Sequence, residues 1–175
     1  YTLSFSANGG SGAPSSMSGT TTSTSYTFTI PATEPARSGY TFKGWSTSSS
    51  ATSASYTSGN TITISSNTTL YAVWYQNLSA TSTPSISGVV GQQYSYTVAT
   101  NVAGCTISVS GASWLSVSGT TVSGVPTSPG TYDITITIIK SGSYVSGTQS
   151  FTLKVYSAMG FESVPSASGI FAYAM

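Results

Sequence analysis

Histidine is missing from this chain of 175 residues, and charged side chains are nearly missing, with four Lys or Arg and three Asp or Glu. The common hydrolytic mechanisms need a base beside a Ser or Cys nucleophile, or two carboxylates close together. The carboxylates of Glu34, Asp133 and Glu162 lie far apart in the sequence. The sequence therefore predicts a protein that is not an enzyme and that carries no cofactor and no metal ion.

Clusters of positive charge and long apolar runs are missing too. The net charge is +1, and Arg37, Lys43, Lys140 and Lys154 are scattered along the chain, which argues against binding to nucleic acid through phosphate neutralisation. Cys105 is the single cysteine, which excludes an internal disulfide. No apolar run approaches the roughly eighteen residues that a membrane-spanning helix needs, so we expect no membrane span.

Hydroxyl groups are what the chain has in abundance, with 38 Ser and 29 Thr beside an apolar content of 38% and an aromatic content of 12%. The apolar residues recur with the period of two that marks a half-buried strand. In residues 131–138, for example, Tyr or Ile alternates with Thr or Asp. Thr suits the outer face of a strand because its branched Cβ fits the pleated surface. The pattern predicts a mainly β fold.

Turn signals and a change of composition divide the chain into three parts. The aromatic-rich run 70–75 is followed by a polar stretch that leads to Pro84 and to a new series of strands. We therefore expect one β module at residues 1–76, a second at residues 77–156, and a C-terminal extension at residues 157–175.

Three motifs in the first module occur in a family-specific order. Residues 5–10 read FSANGG, residues 39–45 read GYTFKGW, and residues 68–74 read TTLYAVW. In these motifs the module resembles the Listeria-Bacteroides repeat, also called the internalin B-repeat family. The resemblance implies a small β-grasp-like module of cell-surface proteins. We expect Tyr40, Phe42 and Trp45 to build one aromatic core with Trp74.

The second module resembles the immunoglobulin-like, cadherin-like family of surface-protein modules. The motifs are WLSV at 114–117, GVP at 124–126 and PGTY at 129–132, followed by a long alternating strand and a final strand at 151–155. The resemblance implies an Ig-like β-sandwich. Calcium-binding relatives need several converging carboxylates, and this module offers only Asp133, so we expect no calcium.

The C-terminal extension matches neither family. Its last residues have the composition of a strand, in which Phe171, Tyr173 and Met175 share one face and Ile170 precedes them. A free apolar tail favours aggregation. We expect these residues either to dock as an extra strand on their own domain or to contact a neighbouring subunit by strand addition.

Candidate surface sites are tyrosines and asparagines. Tyr71 and Tyr75 alternate away from the apolar face of their strand and, with Tyr144, are the candidate contacts for a ligand. Asn67 and Asn77 begin Asn-X-Ser/Thr patterns and are the candidate glycosylation sites, although two chance matches are expected in a chain so rich in Ser and Thr.

These features lead to a hypothesis of an extracellular structural protein. The chain would be a subunit or stalk segment of a surface assembly, such as a filament, adhesin or sheath, whose partners are copies of itself or other surface or virion subunits. A surface made of hydroxyls responds little to salt or pH, which suits an extracellular setting. Two alternatives remain open: a decoration or spike on the surface of a virion, and an adhesion module that binds a glycan or a host receptor.

Overall fold

The computed structural model describes residues 1–158, and this part of the chain is built from β-strands. The mainly β fold predicted from the alternation is thus confirmed. Within residues 1–158, no helix is long and apolar enough to cross a membrane. Residues Ile170, Phe171, Tyr173 and Met175, expected to contact another subunit, lie outside the described part.

The first module consists of one sheet and a two-stranded ribbon. Its strands are β1 (Thr2–Ser6), β2 (Met17–Ser18), β3 (Tyr26–Thr29), β4 (Tyr40–Ser46), β5 (Thr61–Ile64) and β6 (Thr68–Asn77). The sheet has the order β2-β1-β6-β4, in which the central pair β1 and β6 is parallel and the outer pairs are antiparallel. Strands β3 and β5 form the separate antiparallel ribbon.

The ribbon covers one face of this sheet and closes the first core. Phe28 and Ile62 of the ribbon share a buried cluster with Leu3, Trp45 and Leu70 of the sheet. All of these residues alternate with more polar neighbours, so one face of each strand is buried in the interior. The core of the first module therefore lies between two β layers.

The second module is a sandwich of two sheets. Its strands are β7 (Ser87–Val89), β8 (Tyr94–Thr97), β9 (Thr106–Ser110), β10 (Ser116–Ser118), β11 (Thr121–Gly124), β12 (Gly130–Ile139), β13 (Tyr144–Val145) and β14 (Gly147–Tyr156). One sheet has the order β7-β14-β12-β9 and the other the order β10-β11-β8. Tyr96 and Val122 of the smaller sheet meet Ile134, Ile136 and Leu153 of the larger sheet in one buried cluster.

Close backbone packing explains why the GVP motif of the second module begins with a glycine. A Cβ at Gly124 would lie 2.0 Å from the carbonyl oxygen of Trp114, so only glycine fits there. The indole of Trp114 packs edge-on against Tyr94 and Tyr132, with ring centroids 6.3 and 5.7 Å apart. The two-sheet geometry is what the immunoglobulin-like resemblance implies, but membership of that family remains a prediction.

Two buried tyrosines form hydrogen bonds with the segment that precedes the first strand of the second module. The Tyr96 hydroxyl donates to the carbonyl oxygen of Ser82 at 2.9 Å, and the Tyr94 hydroxyl donates to that of Ser85 at 2.8 Å. Burial, with a smaller contribution from the neighbouring Tyr96, raises the pKa of Tyr94 to about 12. Its hydroxyl therefore remains a donor throughout the neutral and mildly alkaline range.

Candidate ligand-binding cleft between the two modules

Strand β13 of the second module extends the sheet of the first. It pairs in parallel with the end of β6, with Tyr144 opposite Gln76 and Val145 opposite Asn77. The backbone N–H of Gln76 donates to the carbonyl oxygen of Ser143 at 3.0 Å, and the backbone N–H of Leu78 donates to that of Val145 at 2.9 Å. The two modules are thus joined by a sheet ladder in addition to the chain itself.

Side chains and close packing reinforce this joint. The Ser143 hydroxyl donates to the carbonyl oxygen of Thr52 at 3.2 Å, and the Asn101 amide group donates to that of Asn77 at 2.9 Å. A Cβ at Gly147 would lie 1.9 Å from the carbonyl oxygen of Leu78. Glycine at this position therefore allows β14 to approach the backbone of the residue that directly follows β6.

A cleft of about 740 Å³ lies at the joint. The lining residues come from both modules and are Tyr40, Thr52, Ser53, Trp74, Tyr75, Gln76, Gly142, Ser143 and Tyr144. The partners of β6 explain its position, because pairing with β1 ends at Tyr71 and pairing with β13 begins at Gln76. The cleft thus adjoins the stretch of β6 between these two partners.

Tyrosines from two strands flank Gln76. Tyr40 on β4 and Tyr144 on β13 are both in register with Gln76, one on each side of β6. The guanidinium carbon of Arg37 lies 3.8 Å from the ring centroid of Tyr40, and the Lys140 ammonium nitrogen lies 5.1 Å from that of Tyr144. These distances are typical of cation–π contacts.

A third cation lies over Tyr75, whose ring is on the opposite face of the sheet from Gln76. The Lys43 ammonium nitrogen lies 5.3 Å from the ring centroid of Tyr75. Arg37 and Lys140, which are far apart in the sequence, thus lie over the rings of two tyrosines of the cleft. Lys43 and the Tyr75 ring lie on the opposite face of the sheet, because Tyr75 alternates with Trp74 and Gln76 along β6. The lining itself contains no Asp or Glu.

The structure places the three candidate ligand tyrosines on two different faces of the sheet. Tyr144 lines the cleft on the same face as Gln76. Tyr75 borders the cleft but directs its ring to the opposite face, and Tyr71 is half-buried elsewhere on β6 and is not part of the lining. Sequence reasoning missed Tyr40, which it assigned to the aromatic core because Tyr40 and Phe42 alternate on the same strand. Tyr40 instead lies beyond the edge of that core, under Arg37. The signal available in the sequence was Arg37, three residues before Tyr40, which could have indicated a cation–π contact outside the core.

The other three residues of the predicted aromatic core, Phe42, Trp45 and Trp74, do pack together in the first module. Trp45 packs edge-on against Phe42 and Phe5, each at a centroid distance of 5.1 Å, and Phe42 packs against Trp74 at 5.6 Å. The Trp74 indole N–H donates to the carbonyl oxygen of Ala7 at 2.9 Å. This bond fixes the tryptophan where it contributes both to the core and to the cleft.

The two candidate glycosylation sites lie in different surroundings. Asn67 is exposed in the turn before β6, where its side-chain oxygen accepts a hydrogen bond from the Thr2 amide at 2.9 Å. Asn77 is half-buried at the joint, and its side-chain oxygen accepts a bond from the Thr41 hydroxyl at 2.7 Å. Asn67 is therefore the more accessible of the two.

The cleft is chemically suited to binding. Its groups are aromatic rings, hydroxyls and an amide, which stack on a ligand and form hydrogen bonds with it. Over residues 1–158, no group of three or more His, Cys, Asp or Glu side chains comes together in a way that could hold a metal ion. Asp133 lies apart from the cleft and accepts a hydrogen bond from the Thr152 hydroxyl at 2.8 Å.

The first module is a small two-layer β domain of the kind found as a repeat in extracellular surface proteins. Residues 1–73 match the family model of the Listeria-Bacteroides repeat domain, which supports the resemblance seen in its three motifs. The match covers 73 of the 175 residues and does not extend into the second module. A comparison with curated proteins gave no match.

Proposed function

We propose that the chain is a non-enzymatic, load-bearing segment of an extracellular surface assembly, such as the stalk of an adhesin or the subunit of a filament or sheath. One observation carries the proposal. In each module the first and last strands are neighbours and run parallel: β1 beside β6 in the first, and β7 beside β14 in the second.

Parallel terminal strands make a module resistant to stretching. A force on the two chain ends pulls such a pair in opposite directions along the strands, so the hydrogen bonds between them share the load. In the second module these bonds include Lys154 N–H to the Ile86 carbonyl oxygen and Val90 N–H to that of Tyr156, both at 2.9 Å. An antiparallel pair pulled apart at one end would instead lose its bonds one after another.

The joint supports the same interpretation. Trp74 belongs to the first core and Leu78 to the second, so the chain passes from one core to the next without a spacer. The pairing of β13 with β6 further restrains the two modules. A stiff connection of this kind suits a stalk, whereas a flexible linker would not transmit orientation.

Single-molecule stretching tests the load-bearing role by comparing two pulling directions. In a Cys105→Ala background, handles at the two chain ends load the parallel pairs, whereas handles at Thr131→Cys and Lys154→Cys, directly opposite on β12 and β14, unzip an antiparallel pair. We expect a higher rupture force for pulling at the chain ends. Thermal unfolding of the cysteine variants is the control for intact folding. Equal forces in the two directions would show that the terminal pairs carry no special load.

Linkage between copies is the second part of the proposal. We assign it to strand addition by the C-terminal extension, supported by the alternation of Phe171, Tyr173 and Met175 in the sequence. A chain that ends at Tyr156 should remain folded but fail to assemble in electron micrographs. Assembly of the shortened chain to the same extent as the full chain would refute strand addition by this segment.

A further inference from the structure

The distribution of charge around the cleft is uneven for so neutral a chain. Arg37 and Lys140, two of its four basic residues, each contact a tyrosine on the face of the sheet where the cleft lies, and Lys43 lies over Tyr75 on the opposite face. The fourth, Lys154, lies over Tyr156, which is not part of the lining. With no carboxylate in the lining and with Arg37 and Lys140 over two of its rings, we expect a positive potential at the rim of the cleft.

The chemistry of the walls complements this charge. Tyr40 and Tyr144 are half-buried, so part of each ring is available for contact, and they stand on either side of Gln76. Thr52 and Ser53 add exposed hydroxyl groups beside them. Rings that stack on apolar faces, together with hydroxyls and an amide that exchange hydrogen bonds, are suited to a saccharide.

We propose that the cleft between the modules binds an acidic saccharide, one whose sugar ring packs between Tyr40 and Tyr144 and whose carboxylate or sulfate meets Arg37 and Lys140. Because each module supplies one tyrosine and one cation, the site exists only where the two modules are joined. This inference is independent of the load-bearing role: a chain that binds no saccharide could still transmit force.

Calorimetric titration of the full chain tests the proposal with matched probes. Tetragalacturonate and a heparin-derived tetrasaccharide represent the carboxylate and sulfate forms of the ligand. The methyl ester of tetragalacturonate keeps the sugar rings and removes the charge, and an oligonucleotide of equal charge keeps the charge and removes the sugar polymer. We expect at least one acidic saccharide to bind, its binding to weaken with added salt, and both control probes to bind at least about tenfold more weakly.

Variants locate the site. Tyr40→Ala and Tyr144→Ala should each weaken binding about tenfold by removing a stacking surface. Arg37→Gln and Lys140→Gln should weaken it and reduce its salt dependence. Two matched controls should stay within about twofold of the original affinity: Tyr71→Ala, a tyrosine on β6 outside the lining, and Lys154→Gln, a lysine over a tyrosine outside the lining. Unchanged thermal unfolding would show that each variant is folded.

Three results would overturn the proposal. The first is that neither acidic saccharide binds at millimolar concentration. The second is that the methyl ester or the oligonucleotide binds with the same affinity as the acidic saccharide, which would show that the site does not require both the charge and the sugar. The third is full affinity in the folded Tyr40→Ala and Tyr144→Ala variants, which would place binding elsewhere on the chain.

Discussion

Replacement of Trp45 by alanine is expected to unfold the first module or bring it close to unfolding. The side chain is only 1% exposed and packs edge-on against Phe5 and Phe42. Loss of a buried Trp side chain costs about 3–5 kcal/mol because a cavity is left behind, and each aromatic pair adds about 0.5–1.5 kcal/mol. A small domain is stable by only about 5–15 kcal/mol, so the loss is a large part of the total.

Chemical denaturation followed by tryptophan fluorescence measures this effect, because Trp74 lies in the first module and Trp114 in the second. We expect the transition reported by Trp74 to move strongly and that reported by Trp114 to move much less. Tyr156→Ala, which truncates a side chain that is 50% exposed, is the control and should change neither by more than about 0.5 kcal/mol. A loss below about 1 kcal/mol in the Trp45→Ala variant would mean that the aromatic cluster is not the core of the module.

Local patterns predict the strands of this protein well, since alternation alone states which side chains are buried. In β12, Ile134, Ile136 and Ile138 are each no more than 1% exposed, as the alternation in residues 131–138 requires. The aromatic core of the first module was predictable for the same reason, except at its edge. Tyr40 continues the alternation of β4 but lies past the last core residue, and a periodic pattern does not indicate where a core ends.

The cleft could not be predicted, because it depends on pairing between distant segments. Tyr144 pairs with Gln76 although 67 residues lie between them in the sequence, and neither segment has a composition that specifies the other. Arg37 and Lys140 are separated in the sequence by an even longer stretch and come near the same cleft only when the modules are joined. Scattered charges in a sequence therefore do not exclude a charged site in the fold.

Two glycine substitutions in the first module are expected to differ in cost although both glycines have a positive φ. Gly44, at the bulge of β4, has a φ of +126°, and Gly59 has a φ of +78°. An alanine at Gly59 would meet nothing within 4 Å, so its cost is the backbone strain alone, about 1–2 kcal/mol. An alanine at Gly44 would also place its Cβ 2.4 Å from the carbonyl oxygen of Tyr56 and 2.8 Å from the Cβ of Ala54.

The Tyr56 carbonyl has little freedom to move away, because it accepts a hydrogen bond from the Trp45 amide at 2.7 Å. Overpacking of this kind adds about 1–3 kcal/mol, so Gly44→Ala should lower the free energy of unfolding by more than Gly59→Ala does. Urea denaturation of the two variants measures the difference. Equal losses would mean that the segment containing Tyr56 can move without breaking this bond, and that Gly44 is required only for its backbone conformation.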